Sequence, residues 1–152
     1  MDRGQESAVR GAGRTQNALL AAQEHLYAAL RRPQPLRERK WADAVGTELS
    51  AALSAFREHR LEVEGSSGLY AEILRDAPWT EARLRQLAAQ LRRIEAEVID
   101  LQIEVARVAA GDFESISSIR ADAERMLFTL RDLLSKETDL IYERFNQPAA
   151  LD

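Results

Sequence analysis

The stretch EARLRQLAAQLRRIEAEVIDLQIEVARVA, residues 81–109, decides the fold. Its large apolar side chains fall at Leu84, Leu87, Leu91, Ile94, Val98, Leu101, Val105 and Val108, in alternating steps of three and four. A strand would repeat every second residue. This spacing is the seam of an α-helix packed in a bundle. At ~1.5 Å per residue the helix is about 43 Å long. Thr80 is placed to cap its start, and Gly111 stops it.

Working outward, the same rule returns downstream. Ile116, Ile119, Ala123, Met126, Leu130, Leu133, Glu137 and Leu140 predict a helix over 115–146, closed by Pro148. Upstream, Leu69 to Asp76 reads as a short amphipathic helix or turn ended by Ala77-Pro78. Before it, Glu64-Gly65-Ser66-Ser67-Gly68 breaks a helix over 36–63, with Gly65 as its C-cap. The face of that helix carries Trp41, Val45, Leu49, Ala52, Phe56, His59 and Val63. A first helix over 15–32 ends in two arginines followed by Pro33 and Pro35. Residues 1–14 hold three of the seven glycines and, after Met1, only Val9 as a large apolar residue, which predicts a flexible N-terminal tail.

Four long amphipathic helices on short connections predict an all-α, antiparallel four-helix bundle over 15–147. A short extra helix or turn lies between the second and third long helices, and 148–152 form a short C-terminal tail. A long coiled-coil hairpin that dimerises is the alternative. The stops at Pro33, Gly65 and Gly111 favour closure within one chain.

Composition removes whole classes of chemistry. Zero cysteines exclude disulfides, thiolate metal sites and a cysteine nucleophile, and two histidines exclude any cluster of imidazoles. A net charge of −4 predicts no nucleic-acid partner. No run approaches the roughly 18 apolar residues of a membrane helix, and no signal-peptide core is present, so no membrane partner and a cytoplasmic location are expected. Gly11-Ala12-Gly13 has no strand before it and is no phosphate loop. Ser54 and His59, five apart, do not face one another on a helix. Arg31, Arg32, Arg37, Arg39 and Lys40 read as a solvated basic connection.

The informative residues are polar side chains in apolar places. His59 lies in a seam between Phe56 and Val63, and Glu137 between Leu133 and Leu140. His25 falls in line with Ala18, Ala22 and Ala29. An unpaired carboxylate at a buried seam position costs several kcal/mol, of order 2–7 for even a neutral polar group. Periodicity turns all three inward on three helices, which predicts a shared polar cluster.

The run Glu24-His25-Leu26-Tyr27-Ala28-Ala29-Leu30, with Pro33, Pro35, Arg37-Glu38 and Trp41, resembles the start of bacterial hemerythrin-like (HHE cation-binding) domains. Phe56-Arg57-Glu58-His59, then Glu64 through Ile73 and Pro78, carries the resemblance furthest, and Lys136-Glu137-Thr138-Asp139-Leu140-Ile141-Tyr142-Glu143 adds a later match. The resemblance covers residues 19–146. It implies a four-helix bundle around a non-haem di-iron site held by histidines and carboxylates. His25 and His59 stand at the first- and second-helix ligand positions, and Glu137 at a fourth-helix one.

Several ligand positions depart from the family. Val63 occupies the place of the second-helix carboxylate, and Glu64 comes one residue late. Gln90-Leu91 replaces a Glu-His pair, and Leu133 replaces a histidine. The expected function is therefore a non-enzymatic hemerythrin-like bundle that has lost most di-iron ligands and serves a structural, interaction or regulatory role. No cofactor is expected on this reading, and replacing His25 or His59 with Leu then leaves the melting temperature equal or raised. The alternative is a metal- or oxygen-responsive protein with one iron or zinc ion on His25, His59 and Glu137. A dimeric helical scaffold is a further alternative, with an unidentified protein or a second copy as partner.

Overall fold

The computed structural model describes residues 3–144. Five α-helices account for nearly all of it: α1 (Arg3–Arg31), α2 (Glu38–Glu64), α3 (Leu69–Asp76), α4 (Glu81–Ala109) and α5 (Ile116–Glu143). A single turn of 3-10 helix, Pro78–Thr80, joins α3 to α4, and the described residues contain no strand. No described helix is long and apolar enough to cross a membrane.

The seams lie where the periodicity puts them. All eight apolar seam residues of α4 are buried, from Leu84 to Val108, as are the eight positions of α5 from Ile116 to Leu140. The face of α2 from Trp41 to Val63 is buried throughout. Each long helix runs antiparallel to its neighbours around the ring α1–α2–α4–α5. Ser50 meets Gln102 while Arg57 meets Glu95, and Arg83 meets Glu143. On the closing side, Gln16 meets Glu137 while Leu30 meets Arg120.

The expected flexible tail over 1–14 is corrected from Arg3 onward, where α1 already runs. Ala8 and Ala12 are 2% and 1% exposed. The small residues that suggested looseness instead allow close packing. The Glu62 side chain of α2 folds over Gly11, its Oε1 1.7 Å from where a Cβ would stand. Residues 1 and 2 and the expected C-terminal tail at 148–152 lie outside the described residues.

Two caps also differ from expectation. Gly65 adopts extended backbone (φ −63°, ψ 160°), not the left-handed cap. The close approach falls to Gly68, where a Cβ would meet the Glu62 carbonyl oxygen at 2.2 Å. The Thr80 hydroxyl donates backward to the Ala77 carbonyl (2.7 Å) and does not cap α4. Gly111 ends α4 as expected, at φ +115°.

The C-terminus of α1 is held from across the bundle. Arg120 of α5 donates to the carbonyls of Leu30 (2.9 Å) and Arg32 (2.7 Å), while its guanidinium lies 5.4 Å from the Trp41 ring centre. Orphan carbonyls of a helix end are thereby satisfied by a cation, which also suits the helix dipole. This clamp sets the height of α5 against α1, and so decides what meets at the other end.

Candidate functional site

At that other end, seam residues of three helices and a side chain from α3 converge. His59 and Glu137 are both 0% exposed, and His59 Nε2 lies 2.8 Å from Glu137 Oε1. The pairing follows from register. α2 turns His59 inward between Phe56 and Val63, and α5 turns Glu137 inward between Leu133 and Leu140.

Further donors and acceptors complete the arrangement. The Tyr70 hydroxyl of α3 donates to Glu137 Oε2 at 2.5 Å, and Gln16 Nε2 of α1 donates to Glu137 Oε1 at 3.1 Å. Thr15 Oγ1 of α1 lies 2.7 Å from His59 Nδ1. Glu137 thus has three protein partners within hydrogen-bond distance, from α1, α2 and α3. Burial pushes the Tyr70 hydroxyl's pKa far above the ordinary tyrosine range, and the charge of Glu137 and the hydrogen bond to it push it further. Tyr70 therefore stays a donor.

The Thr15 hydroxyl has one proton and several acceptors in reach. The Ala12 and Gly11 carbonyls lie 3.1 and 3.2 Å away. When the hydroxyl donates to one of them, its oxygen accepts from His59 Nδ1; when it turns to Nδ1, it donates there instead.

Hydroxyl, imidazole and carboxylate in a row have the composition of a nucleophilic triad. Here the row is enclosed by the core: His59 and Glu137 are 0% exposed and Thr15 and Tyr70 8%.

The remaining sequence candidates lie elsewhere. His25, expected to point inward, has a side chain 72% exposed, with Nδ1 4.0 Å from Glu48 Oε2 on the outer surface. The buried stripe of α1 runs instead through Thr15, Leu19, Gln23, Leu26 and Leu30. Two stripes competed for the interior, one of alanines and one rich in leucine. Burying a leucine side chain is worth about 1.5–3 kcal/mol, so the leucines win. Glu64 ends α2 and pairs with Arg92 of α4 at 3.4 Å; it makes no hydrogen bond with His59 or Glu137, though its charge acts on Tyr70. Leu91 and Leu133 are fully buried seam residues.

Among the described residues no group of three or more histidine or carboxylate side chains is placed to hold a metal ion. The donor set does not fit the iron or zinc that the resemblance implies. Both ring nitrogens of His59 and both oxygens of Glu137 already face protein partners, and the third expected ligand sits on the surface.

Thr15, Gln16 and Tyr70 carry no motif and were not legible as partners of His59 and Glu137. The one available signal was the need itself, since a buried carboxylate must find donors. Comparison with known protein families, curated proteins and solved structures finds no match to this chain.

Proposed function

We propose that this chain is a non-enzymatic, hemerythrin-like helical bundle in which ligand positions have been given over to a structural hydrogen-bond network, and that it acts through its outer surface. One observation carries the reading. Each ring nitrogen of His59 and each carboxylate oxygen of Glu137 is engaged by a protein partner, and both residues are fully buried. A catalytic metal centre keeps a ligand position open, and a small-molecule site is a cleft. These polar atoms face protein instead. The order of the helices, with a short helix between the second and third long ones, supports the hemerythrin-like part of the reading.

The network has a role that apolar packing does not fill. It joins α1, α2, α3 and α5 at one height, and a polar cluster of this kind penalises any other register. Metal analysis tests the reading on protein purified without chelator or nickel, as wild type and as His59→Ala. The expected metal content is well below one ion per chain and equal in both. A stoichiometric ion that disappears in the variant overturns it.

A further inference from the structure

The side of the bundle between α1 and α5 is the least closely packed of the four helix seams and bears a groove of about 310 Å³. Its walls set exposed aromatic side chains among charged ones. Phe128 is 75% exposed and Tyr27 42%, and Leu20 nearby on α1 is 38% exposed. At its floor Gln23 is only 3% exposed, yet its Nε2 has no acceptor. A buried amide donor without a partner costs about 1–3 kcal/mol. Both features point to a protein surface that is covered in the working state.

Charge identifies the cover. Gln16 lies opposite Glu137 and Leu30 opposite Arg120, so α1 and α5 are antiparallel and Glu24 lies within about one turn of Arg131 in height. Both line the groove, and neither forms an ion pair with another described residue. About two turns further along, Arg31 of α1 lies near Glu124 of α5. Along the bundle, α1 reads acidic then basic, while α5 at the same heights reads basic then acidic.

A two-fold axis parallel to the helices lays α1 of one copy over α5 of the other without changing height. Glu24 then meets Arg131 of the second copy, and Arg31 meets Glu124, each pair made twice. Phe128 of each copy rests on the Gln23–Tyr27 wall of the other. The face is about 40 Å long and about 20 Å wide, or about 800 Å² per copy, the size of a standard specific interface.

We infer that the α1/α5 face is a self-complementary docking surface for a second copy of this chain, centred on Phe128 and aligned by Glu24 and Arg131. The inference rests on the surface-acting reading above and names its partner.

Sedimentation equilibrium of the full chain over a wide concentration range tests it. Wild type is expected to associate as a dimer. Phe128→Glu is expected to raise the dissociation constant by about 30-fold or more, as removal of a central aromatic anchor does. Ile103→Glu, on the far side of α4, should leave it unchanged. Glu24→Arg alone and Arg131→Glu alone should each weaken self-association through like charges. Mixing those two proteins restores both pairs at once, so a heterodimer of wild-type strength should form. A folded wild type that is monomeric throughout overturns the inference. So does a dimer broken by Ile103→Glu but not Phe128→Glu, or a failure of the mixed pair to recover. None of these results bears on the metal test, so the two readings fail separately.

Discussion

Removing His59 while keeping Glu137 should be among the most damaging single changes in this protein, and removing more of the network should be less damaging. In His59→Leu, Glu137 remains fully buried with Gln16 and Tyr70 as donors but without the imidazole. Breaking one side of a buried pair costs about 3–5 kcal/mol. For a chain of this size that lowers Tm by roughly 6–20 °C. In the double variant His59→Leu/Glu137→Leu the buried charge is gone. Thr15 falls back on the Ala12 and Gly11 carbonyls, and half-buried Gln16 turns to water. Tyr70 alone keeps an unmet donor, at about 1–3 kcal/mol. The triple variant, with Tyr70→Phe added, removes that too and should return to within about 1.5 kcal/mol of wild type. Urea unfolding followed by fluorescence of buried Trp41 reads the series. The reasoning is refuted if His59→Leu is as stable as wild type, the outcome expected of a purely degenerate ligand pocket. It is equally refuted if the double variant is no more stable than the single.

Tyr70 makes stability pH-dependent in the alkaline range. Its folded pKa is raised, so its contribution is intact below the unfolded value of about 10 and is lost as pH rises above it, by up to about 1.4 kcal/mol per pH unit. Urea midpoints should therefore fall above about pH 10 in wild type and fall less steeply in Tyr70→Phe. Two glycines should respond oppositely to alanine. Gly13→Ala meets nothing within 4 Å and should stabilise α1 by about 0.5–1 kcal/mol, whereas a loose tail would show no change. Gly68→Ala drives a Cβ into the Glu62 carbonyl and should cost more than about 2 kcal/mol in the same assay.

Much of the fold was legible because helix period and burial are local. The seam of α4 needed only the spacing of eight apolar residues, and α3 only its bounding Gly68 and Pro78. The inward placement of His59 and Glu137 came from the same rule. The rule failed where two faces of one helix were both plausible. In α1 the alanine line through His25 and the leucine line through Leu19 are offset by one residue, about 100° of rotation, and packing against α2 and α5 chose between them. It failed again at residues 3–14, where glycine reads as a breaker locally but serves as a contact point once α2 is beside it.

The sequence by itself determined the inner faces and approximate lengths of α2, α4 and α5, because each is set by side chains three or four residues apart on one segment. The tertiary structure alone decided what the polar residues do. His59, Glu137, Tyr70 and Thr15 lie on four elements, and their meeting depends on the relative heights of helices, which no spacing within a helix encodes. Arg120 clamped to the end of α1 helps set that height. The histidine and carboxylate that spacing turned inward proved to be partners of each other, because a buried carboxylate takes whichever donors the packing brings within reach.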